Sequence, residues 1–141
     1  MRSARVFVVV AGLLLGSGHV TAVQSTDLVG IYLCEGTNPG TPPYTAAVEI
    51  AAHGDVWALR WLFPDGDEGQ GFGILEGEVL SVIFQTSGGI GWAAYRVQRG
   101  GPALTLIGKW GVPGGPGVLA TEILTKTKAR TLEELKGRQG V

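Results

Sequence analysis

The chain has 141 residues, a length suited to one domain, and carries 11 basic against 12 acidic residues in a composition that is only 16% charged. No basic stripe with interleaved aromatics is present, which argues against nucleic acid as a partner. Cys34 is the single cysteine, so no intrachain disulfide can form, and the fold must rest on its core.

Residues 1–22 read as an export signal. Arg2 and Arg5 give a positive start, residues 6–15 are apolar apart from Gly12, and Val20-Thr21-Ala22 offers a cut after Ala22. The apolar run is about half the roughly 20 residues that a membrane-spanning helix needs. The mature protein is therefore expected to begin at Val23, without a transmembrane segment, and to be periplasmic or secreted. Loss of Arg2 and Arg5 would leave nine basic against twelve acidic residues.

Residues 23–126 are expected to form one β domain. A first strand is predicted over residues 27–35, with Tyr32 and Cys34 in one phase and Ile31 and Leu33 in the other. It ends at a loop containing Pro39, Pro42 and Pro43, which cannot continue a ladder. Residues 44–52 alternate Tyr44, Ala46, Val48 and Ile50 against Thr45, Ala47 and Glu49. Residues 56–63 then place Trp57, Leu59, Trp61 and Phe63 on one face. After the Pro64-Asp65-Gly66-Asp67 turn comes the hairpin over residues 69–84, its first arm punctuated by Gly69, Gly71 and Gly73. Leu80, Val82 and Phe84 share one face of its second arm.

Residues 90–98, 103–110 and 118–125 supply three more strands, separated by glycine-rich turns. Eight evenly spaced strands joined by short turns predict an all-β fold, an eight-stranded antiparallel up-and-down meander closing into a small barrel. A two-sheet β-sandwich is the alternative. Residues 127–141 form a polar tail in which Thr131-Leu132-Glu133-Glu134 matches a capping box, predicting a short helix. Such a segment either docks over a barrel mouth or frays, and its polarity favours fraying.

The inventory for chemistry is thin. His53 is the only histidine beyond the signal, no metal-ligand cluster is spaced for binding, and no serine has a nucleophile context. Neither a catalytic group nor a cofactor or metal is assigned. Gly69-Gln70-Gly71-Phe72-Gly73 is not followed by a helix, so it cannot cradle a phosphate. Cys34 reads as a small hydrophobe in a strand. The aromatics and one carboxylate make the best case for a ligand-binding site: Trp57, Trp61, Trp92 and Trp110, with Glu122 in phase with Ala120 and Leu124. A lumen-facing Glu122 needs a partner, and Arg96, in phase with Trp92, or Lys109 is the expected cation.

The stretches Gly30-Ile31-Tyr32-Leu33-Cys34-Glu35-Gly36-Thr37-Asn38-Pro39, residues 44–50, Trp61, Gly71-Phe72-Gly73-Ile74, Leu80, Tyr95, Gly108-Lys109-Trp110 and Thr121-Glu122-Ile123-Leu124 together resemble a group of small exported bacterial proteins known as fibronectin-binding. The resemblance spans most of residues 27–125. It rests on glycine and core positions, and implies a host-matrix partner such as fibronectin. Two functions follow as expectations. One is an exported non-enzymatic binding protein acting through protein contacts at loops or strands. The other is a carrier or sensor of a small apolar ligand, using the barrel lumen. A lumen filled by side chains would favour the first, and an open cavity the second.

Overall fold

Eight strands wind up and down and close on themselves in a computed structural model that describes residues 26–138. The strands are β1 (Gly30–Thr37), β2 (Tyr44–His53), β3 (Val56–Leu62), β4 (Glu68–Glu76), β5 (Val79–Thr86), β6 (Gly89–Gln98), β7 (Thr105–Gly111) and β8 (Ala120–Lys126). Each pairs antiparallel with its sequence neighbours, and β8 pairs with β1 to complete the circle. Closure satisfies every strand edge, so the barrel is the outcome of the expected pair of architectures. The expected leader lies outside the described residues. Residues 27–29 are not strand: Thr26–Leu28 is a 3-10 turn that enters β1.

The two ends of the barrel differ. One end carries the connections at residues 54–55, 77–78 and 99–104, with Gly77 at φ 59° turning β4 into β5. Leu28 is fully buried there, and its carbonyl accepts a 2.7 Å bond from the Tyr32 hydroxyl. Ile50, Trp57, Leu80, Val97 and Leu106 join it in the core, so this end is packed solid. Arg99, ion-paired to Asp27 and Glu78, ties the entry segment to the β4–β5 turn. At the other end lie the connections at residues 38–43, 63–67, 87–88 and 112–119, and here the lumen opens.

The first three inward positions of β4 carry no side chain, and the fourth is Leu75, which packs against the core. Gly69, Gly71 and Gly73 are buried while Gln70, Phe72 and Ile74 between them face solvent. A Cβ on Gly73 would lie 2.8 Å from the Ser81 carbonyl oxygen, and one on Gly71 2.9 Å from Val82. Glycine there lets the large side chains of β3 and β5 fill the barrel.

The tail corrects the sequence expectation. As far as Arg138 it is docked, and on the wall of the barrel instead of over a mouth. Helix α1 (Leu132–Arg138) buries Leu132 and Leu135 on the outer wall against Ile31, Ala47 and Leu62. The capping residue is as expected: Thr131 Oγ1 accepts from the Glu134 amide at 3.1 Å, while the Glu134 carboxylate takes the Arg130 amide at 2.7 Å. Ile31 and Ala47 sit on the outward phase of β1 and β2, and the two leucines give that apolar pair its cover.

Candidate functional site

The open end holds a cavity of about 450 Å³. Its walls come from Tyr44 at the start of β2, Trp61 on β3, Phe63 just after it, Phe84 on β5 and Trp110 on β7, with Glu122 and Tyr95 deeper in. The rings touch one another around the wall. Trp61 and Phe84 are 6.1 Å apart between centroids, Phe84 meets Trp110 edge-on at 6.0 Å, and Tyr44 and Phe63 lie at 6.3 Å. Such tilted contacts suit the ring quadrupoles.

Glu122 is only 5% exposed. Its Oε1 accepts from the Cys34 thiol at 2.8 Å and from Trp61 Nε1 at 3.0 Å, and Oε2 accepts from the Tyr95 hydroxyl at 3.1 Å. Trp110 Nε1 donates at 2.9 Å to the Tyr44 hydroxyl, whose pKa is raised first by burial and then by the nearby Glu122 carboxylate. Burial pushes the Cys34 and Tyr95 protons well above their ordinary range, and the neighbouring carboxylate adds to it. Cys34 is therefore a thiol that donates, where the sequence suggested only a small hydrophobe.

Register explains how one carboxylate gathers these donors. Gly36 on β1 and Gly108 on β7 stand directly opposite Glu122 on its two sides. Beyond them in the same row come Tyr44 on β2 and Tyr95 on β6. A Cβ on Gly36 would overlap the Tyr44 ring, and one on Gly108 the Tyr95 ring. The two glycines thus leave room for two tyrosines to lean across neighbouring strands toward Glu122. No buried side-chain nitrogen or oxygen among the described residues lacks a partner.

Of the six residues expected in a site, Trp61, Trp110 and Glu122 line the cavity. Trp57 points inward but is packed in the solid half, away from the cavity lining. Trp92 and Arg96 are corrections, because they lie on the outward phase of β6. Trp92 is 48% exposed and lies over Gly111 on the outer wall, while inward positions go to Gly91, Ala93, Tyr95 and Val97. The expected cationic partner of Glu122 is corrected too: Arg96 and Lys109 are both exposed, and the partners are three neutral donors. Tyr44, Phe63, Phe84 and Tyr95 were not singled out, although the first three share a phase with apolar residues. For β6 the signal was Arg96, since an arginine on the same face as Trp92 is costly to bury.

The fold and cavity define an eight-stranded closed β-barrel with one plugged end and one aromatic-walled cup. No known protein-family model matches the chain, and neither does any curated protein. A solved structure described as a redesigned β-barrel matches with a TM-score of 0.56 at 14% identity, covering 72% of this chain and 93% of that one. That likeness bears on the fold alone. Among the described residues no group of three or more His, Cys, Asp or Glu is placed to hold a metal ion, and no helix is long and apolar enough to cross a membrane.

Proposed function

We propose that the protein is a non-catalytic small-molecule binder that takes its ligand into the open half of the barrel. The observation that supports this is the cavity of about 450 Å³, walled by aromatic rings with a single hydrogen-bonded carboxylate at depth. Pockets of this size and lining, mostly apolar with a few placed polar groups, suit drug-sized ligands. The plugged half supplies stability without occupying the cup. Native mass spectrometry of protein purified from its own host tests the reading. An adduct carried by the parent and lost in Thr86→Trp, which fills the mouth, is the expected result. An adduct held equally by both chains would move the site elsewhere.

A second reading rests on the outer wall. Phe72, Ile83 and Trp92 stand opposite one another across β4, β5 and β6, and the first two are 57% and 60% exposed. A row of this kind is suited to a protein partner, including the fibronectin that the sequence resemblance implies. Binding of the purified protein to immobilised fibronectin, abolished by Trp92→Glu, would favour it over the lumen.

A further inference from the structure

We infer that the ligand of the cup is an organic cation, a protonated amine or quaternary ammonium, whose charge seats against Glu122. This rests on the lumen-binding reading above and names the chemistry of its ligand.

Three independent features of the cavity agree. The first is charge. Its lining includes Glu122 at depth and Asp65 and Asp67 at the rim, and contains no Lys, Arg or His. The rim pair is held in place, with Asp65 Oδ1 accepting from the Asp67 amide at 2.9 Å and Asp67 Oδ2 accepting from Ser87. Acidic groups at a low-dielectric mouth draw cations inward and repel anions.

The second is the hydrogen bonding of Glu122. Its oxygens are held by neutral donors, and no side-chain cation stands against it in the cavity. These donors bring no positive charge to the site, so an incoming cation gains from pairing with Glu122. A cavity built for a carboxylic acid would instead present a cation there.

The third is the wall. Trp61, Phe84 and Trp110 form a continuous ring-to-ring surface. The negative faces of aromatic rings attract cations, most strongly those of tryptophan, and more so away from water. A bare metal ion fits poorly, because the depth of the cup offers one carboxylate where a hard cation requires six or more oxygens.

The test is isothermal titration of the purified mature chain at neutral pH with three probes of one shape. These are phenethylamine, 2-phenylethanol and phenylacetate, positive, neutral and negative respectively. The expected result is amine binding about tenfold or more tighter than the alcohol, with phenylacetate weakest. Glu122→Gln should erase most of the amine's advantage over the alcohol. Asp65→Asn with Asp67→Asn lies at the rim, outside the Glu122 network, and should weaken amine binding and its salt dependence even if the Gln variant does not fold. Equal binding of amine and alcohol, or tighter binding of phenylacetate, overturns the cation and leaves the lumen reading standing. Failure of all three to bind the parent chain overturns both.

Discussion

Replacing Glu122 by leucine isolates the worth of the buried network. The side chain is similar in size but accepts nothing, so Cys34, Trp61 and Tyr95 lose their shared acceptor. The indole N–H and the phenol are strong donors, and each costs about 1–3 kcal/mol when stranded. The thiol is a weak donor and adds little. Against this, a carboxylate no longer has to be dehydrated, and water entering through the cup can reach part of the network. The net expected loss for Glu122→Leu is about 2–4 kcal/mol. Glu122→Gln keeps an oxygen for Trp61 and can turn its amide toward the Tyr95 hydroxyl, which then accepts. Its expected cost is about 1–2 kcal/mol. Guanidinium denaturation followed by tryptophan fluorescence measures both, read as midpoints at constant slope. A leucine variant as stable as the parent would refute the reasoning. It would mean that dehydrating the carboxylate cancels all three bonds.

Stability should also fall in base. Cys34, Tyr32, Tyr44 and Tyr95 hold their protons more tightly folded than unfolded. Below about pH 8.5 they are protonated in both states; above it the unfolded thiol ionises first, and the phenols follow near pH 10. Denaturation midpoints should decline over that window, and Cys34→Ser should flatten its first part. Native Cys34 should resist a thiol-labelling reagent at pH 8 and react once guanidinium unfolds the chain. Gly108→Ala should displace the Tyr95 ring and lower stability by about 1–3 kcal/mol, with a changed near-ultraviolet dichroism spectrum. Leu135→Ala should cost up to about 2 kcal/mol and detach α1, seen as faster proteolysis after Thr131, because its contacts are confined to the outer wall.

Period-2 alternation made the barrel legible, because each strand has to hide one face and a closed meander hides all the edges. It worked for β3 and β5, where one face is plainly larger and more apolar. It misled for β6, where Trp92 pointed to one face as the inner one and the structure turns Tyr95 inward instead. The inward choice depends on Gly108 and Gly91, across which Tyr95 and Phe84 lean, and such cross-strand accommodation is a matter of register. The same holds for Glu122. Its phase was readable, but its partners come from β1, β3 and β6 and are set by how the sheet closes. The docking of α1 was hidden for a related reason. Ile31, Ala47 and Leu62 come from three strands and form a patch only once those strands lie side by side.

The bare stretch of β4's inner face, from Gly69 to Gly73, bears on how readily this cup could change its guest. At Gly71 and Gly73 an added carbon would press within about 3 Å of neighbouring side chains and of the Ile83 and Ser81 carbonyl oxygens, so those positions are locked. Gly69 is looser: the nearest atoms are a Thr86 methyl at 3.2 Å and Trp61 Cβ at 3.4 Å, both side-chain atoms beside the cavity. A lineage, or an engineer, therefore has one dial for ligand size near the mouth, turned a carbon at a time. Turning it would leave Gly36, Gly108 and the donors on Glu122 as they are, so the breadth of ligands accepted could drift while the preference for charge stayed fixed.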